Sequence, residues 1–235
     1  MPSPNAGRRR LRSRLGALAA TAVCFQMIAC FVIPICLWLI CFWPMPVIAE
    51  GDNVPVAELM AGEVLPDLAL GSSDAPVTIV EYASMTCGHC AAFYAGTFPQ
   101  LKSKYIDTGK VRFILREFPL DPLAAAGSML ARCAGDDKRN AVVELLFAQQ
   151  KNWLVPDKAL EALASLLKQA GMSQKSFDAC LADQSLYDKI AKIHDRAADK
   201  FGVSATPTFF INGKKQRGEM TPEALDNVLA PLLKG

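Results

Sequence analysis

Residues 77–90, VTIVEYASMTCGHC, contain the pattern that decides the fold. The first six residues are mostly β-branched, which predicts a strand that is buried for most of its length. Cys87 and Cys90 follow a short connection and open a helical pattern that continues to about residue 104. A second strand pattern comes next, at 111–118. A strand, a helix and a strand with so short a crossover predict two parallel strands connected with right-handed winding.

The rest of the chain extends this unit in a defined order. From Asp121 the pattern is helical for about 80 residues, and strand character returns at 208–211. Asn212-Gly213 is a strong hairpin signal, and Thr221 is placed to cap a final helix. The order β, α, β, helices, β-hairpin, α predicts an α/β fold in which a helical subdomain, at about 121–200, is inserted into a compact domain.

The first 49 residues differ in composition from all that follows. They hold five arginines and no acidic residue, and residues 15–49 carry no charge. A basic start followed by an apolar run predicts an export signal, which Ala49 would close. The run also exceeds the roughly 20 residues that a membrane-spanning helix needs, so a retained anchor is the alternative. Either interpretation places residues 50–235 outside the cytoplasm.

The body of the chain, residues 50–235, has a different charge balance. It keeps 25 − 5 = 20 basic and 23 acidic residues, a net charge of −3. Proteins that bind nucleic acid concentrate positive charge on one face, so this class of partner is not expected. Residues 50–75 form a mixed polar segment with turn residues. We expect one domain over residues 50–235, acting as a monomer.

Cys87, Cys90, Cys133 and Cys180 are the four cysteines of the body. An even number in an oxidising compartment predicts disulfides. At the start of a helix the dipole favours the thiolate of Cys87, which makes it the nucleophile. Cys90, one turn further, would resolve the mixed disulfide. His89, between them, would stabilise the Cys87 thiolate. A four-cysteine zinc site and an inert structural disulfide are the alternatives.

A second segment, SATPTFFING at 204–213, points to a known family. With the cysteine motif it resembles the thioredoxin superfamily, in which the matching proline, here Pro207, is cis and faces the cysteines. The resemblance implies that Thr206 offers backbone groups to the substrate chain. Within the superfamily the sequence is similar to the DsbA family of bacterial protein-disulfide oxidases, over about 65–235. The similarity rests on residues 81–90, the helical insert and Thr206-Pro207.

The DsbA resemblance also implies roles for other residues. Glu81 matches a buried acidic residue beneath the cysteines that could shuttle a proton; a strand residue facing solvent or paired with Arg116 is the alternative. Gly88 departs from the commonest family dipeptide, Pro-His. Some relatives carry a noncatalytic disulfide in the insert, and once Cys87 is paired with Cys90 this implies a bridge between Cys133 and Cys180. Two free buried thiols are the alternative.

The function implied by the resemblance is oxidation of reduced or unfolded exported proteins in the periplasm. A DsbB-type, quinone-linked membrane protein is the expected reoxidant, with no cofactor or metal in the chain itself. A reductase or isomerase of the same fold is the main alternative. Isomerases of the DsbC type carry a dimerisation domain for which residues 50–75 leave no room. A binding module that captures exported chains beside Pro207 is a third hypothesis.

Overall fold

The fold is described by a computed structural model over residues 53–234. The predicted signal or anchor, residues 1–49, lies outside the described residues. Among the residues that are described, no helix combines the length and apolar character needed to cross a membrane.

A five-stranded mixed sheet forms the centre of the domain. Its strands are β1 (Ala69–Leu70), β2 (Val77–Ala83), β3 (Val111–Glu117), β4 (Thr208–Ile211) and β5 (Lys214–Arg217). Across the sheet they lie in the order β1-β3-β2-β4-β5. The two strands that flank the cysteine helix, β2 and β3, are parallel, as predicted. The hairpin strands β4 and β5 continue the sheet antiparallel on one side, and β1 is antiparallel to β3 on the other.

Six helices lie between β3 and β4 and form the predicted insert. The first begins where expected: Asp121 is its N-cap, and its side chain accepts a hydrogen bond of 2.8 Å from the backbone N–H of Ala124. The structure therefore confirms an α/β fold with an inserted helical subdomain. The helices of the domain are α1 (Val56–Met60), α2 (Gly88–Gly96), α3 (Phe98–Leu101), α4 (Pro122–Cys133), α5 (Asp136–Ala148), α6 (Gln150–Trp153), α7 (Ala159–Gln169), α8 (Gln174–Leu181), α9 (Gln184–Phe201) and α10 (Pro222–Leu232).

The helix that follows the cysteines is divided, although the sequence pattern predicts one continuous helix. The α-helical segments α2 and α3 meet at Thr97, and a π-helical turn, Lys102–Ile106, completes the crossover. Pro99 lacks the backbone N–H that would continue the α2 hydrogen bonds. The Thr97 hydroxyl instead donates a 2.6 Å hydrogen bond to the backbone oxygen of Met220, at the start of the segment that leads into α10.

The alternation of side chains along β2 decides what lies beneath the cysteines. Successive side chains of a strand point to opposite faces of the sheet. Ile79 and Ala83 belong to the core on the face covered by α2 and the insert, whereas Val80 and Tyr82 belong to the core on the face covered by α1 and α9. Glu81 is separated from Ile79 and from Ala83 by two positions, so its side chain points to the same face, the one covered by α2. It is completely buried there.

The pairing of β2 with β4 places the proline segment beside the cysteine pair. Thr208 lies opposite Tyr82, near the end of β2 that leads to the cysteines, and Ile211 lies opposite Ile79. The residues just before Thr208 therefore reach the cysteine end of the sheet. The tip of the hairpin, Asn212-Gly213, lies at the other end.

The first described residues attach to this hairpin tip. The backbone N–H of Val54 donates a 2.8 Å hydrogen bond to the oxygen of Gly213, and Asn53 forms a bridge with Lys214. Gly213 has a φ of +85°, and a Cβ atom there would lie 2.0 Å from the Val54 oxygen. Only glycine fits both the turn and this approach. The chain thus enters the domain at the end of the sheet remote from the cysteines.

Residues 53–75, predicted only as a polar segment with turns, contain α1 and β1 and pack around Arg116. The guanidinium group of Arg116 is buried and lies 3.0 Å from a carboxylate oxygen of Glu63 and 2.8 Å from one of Asp67. It also donates a 3.0 Å hydrogen bond to the Tyr82 hydroxyl. A buried cation needs such partners. Arg116 therefore holds the N-terminal segment on the α1 face and does not pair with Glu81, contrary to one sequence alternative.

A disulfide joins Cys133 at the end of α4 to Cys180 in α8, across 47 positions of the chain. This is the pairing that the family resemblance implies. It also excludes the alternative of a zinc site made from all four cysteines, because these two sulfurs are bonded to each other.

We predict that Cys133→Ala/Cys180→Ala lowers the free energy of unfolding. The chain-entropy model gives on the order of 4 kcal/mol as the upper figure for a loop of this length. Urea denaturation of the variant beside the wild-type protein, both with the Cys87–Cys90 pair reduced, measures the effect. An unchanged midpoint would mean that the bridge adds nothing to stability.

Candidate active site

Cys87 and Cys90 stand at the junction between β2 and α2, in different environments. Cys87 is the N-cap residue of α2, with extended backbone angles, and its side chain is half-buried. Cys90 lies in the first turn of α2 and is completely buried. Both are free thiols in this structure. The geometry therefore presents one sulfur to the surface and keeps the other in the core.

The two thiols have pKa values shifted in opposite directions. The pKa of Cys87 is lowered to about 5, chiefly because the Cys90 thiol donates a hydrogen bond to its sulfur; Thr206 and the backbone N–H groups of Cys90 and His89 contribute, and burial opposes the shift. The pKa of Cys90 is raised by the same hydrogen bond, by burial and by the negative charges of Glu81 and Cys87. Cys87 is therefore a thiolate at neutral pH, and Cys90 is a thiol.

Thr206 and Pro207 lie against Cys87, although 119 positions separate Cys87 from Thr206. The Thr206–Pro207 peptide bond is cis, the form that the resemblance implies. The Cys87 sulfur lies 3.3 Å from the backbone oxygen of Thr206, to which the protonated thiol would donate a hydrogen bond. The Thr206 hydroxyl is buried and has no hydrogen-bond partner among the described residues. Thr206 and Pro207 reach Cys87 because β4, which begins at Thr208, pairs with β2, the strand that leads to the cysteines.

Glu81 lies beneath the pair with its carboxyl group enclosed. Burial raises the pKa of Glu81 well above its usual range, and the negative charge of Cys87 raises it further. Both carboxyl oxygens lack a hydrogen bond to any described residue. An unpaired carboxylate in the core is costly, so this environment favours the protonated acid.

The imidazole of His89 has a partner that the sequence analysis did not identify. Its imidazole Nδ1 lies 2.7 Å from a carboxylate oxygen of Glu219, and both side chains are largely exposed. The contribution of His89 to the lowered pKa of Cys87 comes from its backbone N–H. The role of the imidazole in stabilising the thiolate stays a prediction.

Gln150 is a site residue that the sequence analysis missed. It begins α6 in the helical insert and is buried. Its side-chain amide donates hydrogen bonds of 2.9 Å and 3.0 Å to the backbone oxygens of Met85 and Cys87. A glutamine 63 positions beyond Cys87 has no local pattern that marks it, so only the tertiary structure identifies it.

The sequence analysis also missed the contacts that Ser84 and Thr86 form in the loop before Cys87. The Thr86 hydroxyl donates a 2.6 Å hydrogen bond to Asp121, the residue that also caps α4. The Ser84 hydroxyl lies 3.2 Å from that of Thr86 and accepts a 3.3 Å hydrogen bond from the backbone of Leu120. The loop before Cys87 is therefore fixed both by the end of β3 and by the insert.

Comparisons with known proteins agree with this geometry. Residues 63–230 match the family model described as Thioredoxin. The crystal structure of alpha-DsbA1 from Wolbachia pipientis is 33% identical, with 73% of this chain and 94% of that chain covered and a TM-score of 0.68. The structure of oxidised BdbD from Bacillus subtilis is 25% identical, with 72% and 94% covered and a TM-score of 0.61.

Curated relatives show the same similarity over part of their length. A Rickettsia bellii protein, whose name refers to protein-disulfide oxidoreduction, is 34% identical over 148 residues, which are 63% of this chain and 57% of that protein. A Bacillus cereus protein, whose name refers to disulfide bond formation, is 31% identical over 153 residues, covering 62% and 69%. The chain thus spans little more than half the length of the Rickettsia relative.

The sheet, the cysteine pair and the cis-proline segment define a thioredoxin-fold protein of the thiol–disulfide class. Within that class the chain belongs to the DsbA family of thiol–disulfide oxidoreductases. The family resemblance found in the sequence is therefore confirmed.

We predict that Cys87 reacts with iodoacetamide well below neutral pH, whereas Cys90 is protected. Because the pKa of Cys87 is lowered to about 5, its alkylation rate should rise as pH increases through about 5 and then reach a plateau, since the thiolate is the reactive form. Mass spectrometry of quenched samples of the reduced protein measures both sites. Labelling of Cys90 before Cys87 would contradict the assignment.

We also predict that Gln150→Leu loosens the loop that carries Cys87. The buried oxygen of Met85 would lose its donor, which costs about 1–3 kcal/mol of unfolding free energy, and the pKa of Cys87 should rise. Urea denaturation and the alkylation profile measure the two effects. Gln149→Leu is the matched control, because the Gln149 side chain contacts Asn152 instead. Equal unfolding free energies and equal alkylation profiles of the two variants would mean that Gln150 does not hold the loop.

Proposed function

We propose that this protein is an extracytoplasmic thiol–disulfide oxidoreductase that forms disulfide bonds in exported proteins through Cys87 and Cys90. The observation that carries the proposal is the opposite shift of the two thiols: the pKa of Cys87 falls to about 5, while that of Cys90 rises. A stabilised thiolate favours the dithiol form over the disulfide, which makes the disulfide a stronger oxidant.

The reaction begins from the Cys87–Cys90 disulfide. A substrate thiolate attacks the exposed sulfur of Cys87, and the bond to Cys90 breaks. Cys90 leaves with the electron pair and takes a proton, for which protonated Glu81 is the nearby donor. The second substrate thiolate then attacks the substrate sulfur of the mixed disulfide, and Cys87 leaves as a thiolate. The substrate dithiol has been oxidised by two electrons and the cysteine pair reduced by two.

Substrate binding is assigned to the segment around Pro207. The backbone of Thr206 lies beside Cys87 and reaches its sulfur. An extended substrate chain could form backbone hydrogen bonds there while its cysteine meets Cys87. His89, paired with Glu219, lies at the surface two residues after Cys87, where it would adjust the charge that an incoming thiolate meets.

The cellular context rests on the sequence and on the relatives. The basic, then apolar leader over residues 1–49 favours export, with residues 50–235 as the working domain. Its substrates would be reduced or unfolded exported proteins. Each turnover leaves a dithiol, so an external oxidant is required, and a DsbB-type membrane protein has that chemistry. Names of relatives refer to protein-disulfide oxidoreduction and disulfide bond formation, which supports this assignment.

We predict that the oxidised full-length protein introduces disulfides into reduced, unfolded ribonuclease A, with one disulfide formed for each Cys87–Cys90 pair consumed. Equilibration with glutathione should give a reduction potential between roughly −120 and −180 mV. Cys87→Ser should lose the activity, and Cys133→Ala/Cys180→Ala should keep it. A potential near about −270 mV would assign the protein to reduction instead.

A further inference from the structure

Glu219 belongs to a closed series of contacts around the mouth of the cysteine site. The Cys87 sulfur lies 3.3 Å from the backbone oxygen of Thr206. The backbone oxygen of the next residue, Pro207, accepts a 3.0 Å hydrogen bond from the backbone N–H of Gly218. Glu219 follows Gly218 directly, so the chain places it beside the segment to which substrate binding is assigned.

The carboxylate of Glu219 closes this series from the other side. One of its oxygens lies 2.7 Å from Nδ1 of His89, and His89 stands in the first turn of α2, two residues after Cys87. The contacts therefore run from the reactive sulfur through the proline segment to Glu219 and return through His89. A substrate chain that reaches Cys87 between these elements passes close to the Glu219 carboxylate.

The backbone on both sides of Glu219 is fixed. Gly218 has a φ of +83°, a left-handed conformation that favours glycine, where the chain leaves β5. Met220 is buried, and its backbone oxygen accepts a 2.6 Å hydrogen bond from the Thr97 hydroxyl. Glu219 is thus held between two anchors, while 62% of its side chain is exposed to an incoming molecule.

The charge that this pair presents is negative or zero. Glu219 and His89 together carry −1 when the imidazole is neutral and 0 when it is protonated. Among the described residues, His89 is the only ion-pair partner of Glu219, and the second carboxylate oxygen accepts no hydrogen bond. The cations of β5 that precede Glu219, Lys215 and Arg217, reach the backbone oxygen of Gly202 instead, at 3.4 Å and 3.3 Å.

Asp121 is the other exposed carboxylate beside the cysteine loop, and its oxygens are already engaged. One accepts a 2.6 Å hydrogen bond from the Thr86 hydroxyl, and the other accepts the backbone N–H of Ala124 at 2.8 Å. Asp121 follows β3 and Glu219 follows β5, on opposite sides of β2 in the sheet. Glu219 is therefore the carboxylate with an oxygen free for a substrate group.

We propose that Glu219 is a specificity-determining residue that favours substrate segments with a lysine or arginine beside the reacting cysteine. A substrate cation meets the free oxygen of Glu219 while the substrate sulfur reaches Cys87, and an acidic residue in the same place is repelled. The inference rests on the proposed function, because it concerns the encounter of a substrate thiolate with the Cys87–Cys90 disulfide. No bond to Glu219 forms or breaks, so the electron balance of the exchange is unaltered.

The competing interpretation is that Glu219 acts only through His89 and adjusts the cysteine pair for all substrates alike. Removal of its charge would then change the rate of every substrate by the same factor. Glu219→Gln separates the two interpretations. The glutamine amide keeps an oxygen that accepts a hydrogen bond from His89, and only the negative charge is lost.

The test uses the oxidised full-length protein and peptides with two cysteines, each flanked by lysine in one peptide and by glutamate in the other. One series carries the charge before the cysteine and a second series carries it after. Loss of the Cys87–Cys90 disulfide is followed at pH 8 and low ionic strength by acid quenching, alkylation and mass spectrometry. The readout is the ratio of the lysine-peptide rate to the glutamate-peptide rate, compared between variants so that the intrinsic reactivity of the peptides cancels.

The ratio should be at least about threefold higher in the wild-type protein than in Glu219→Gln, on at least one flank. An exposed ion pair changes such an encounter by up to about fivefold, and repulsion of the glutamate peptide adds to the difference. Glu219→Lys should lower the ratio below that of Glu219→Gln. In 1 M salt, where the screening length is about 3 Å, the wild-type ratio should fall to that of Glu219→Gln.

Glu223→Gln is the matched control, because Glu223 is an exposed carboxylate in the first turn of α10. It should keep the wild-type ratio. Three results would overturn the proposal: equal ratios in the wild-type protein and Glu219→Gln on both flanks, an equal loss in Glu223→Gln, and a wild-type ratio that 1 M salt leaves unaltered.

Failure of the proposed function is recognised separately. A reduction potential outside the oxidase range would change the direction of physiological electron flow. The peptides would still exchange with Cys87, and the dependence of their rates on Glu219 would stay measurable.

Discussion

The difference in solvation between two sulfurs three residues apart is the constraint on which this site depends. Cys87 precedes the first turn of α2 and stays at the surface, whereas Cys90 is turned into the core above β2. The hydrogen bond between the two thiols then stabilises one thiolate at the expense of the other. A helix that begins at the end of a buried strand is enough to create this asymmetry, because the surface of the sheet lies directly beneath the first turn.

The helical insert contributes to the site as well as covering the sheet. Gln150 holds the loop before α2 from the insert side, and Phe147 stacks on Tyr94 in α2. The disulfide between α4 and α8 ties the helices of the insert to one another. Displacement of the insert would therefore alter the loop geometry around Cys87, and the stability of the insert and the reactivity of the cysteine pair are physically linked.

The sequence predicted those parts of the molecule whose physical cause is local or whose motif is shared with a known family. The β-branched run of β2, the Asn212-Gly213 turn and the Asp121 cap are local, and the structure contains all three. What it could not predict depends on tertiary contacts. The two-residue strand β1 is too short to have a period, and no neighbouring residue marks Gln150. The contact between the imidazole of His89 and Glu219, 130 positions further along the chain, has no local signal either.

Asn53 and Val54 bind the hairpin tip, so the chain enters the domain at the end of the sheet opposite the reactive cysteines. Strands rise about 3.3 Å per residue, so the six positions from Thr78 to Ser84 separate the hairpin end from the cysteine end by roughly 20 Å. An affinity tag or a fusion partner joined directly ahead of Asn53 would therefore be attached at the hairpin end of the sheet. A surface attached directly ahead of Asn53 would lie at the hairpin end of the domain, with the reactive sulfur of Cys87 directed toward the surrounding solution.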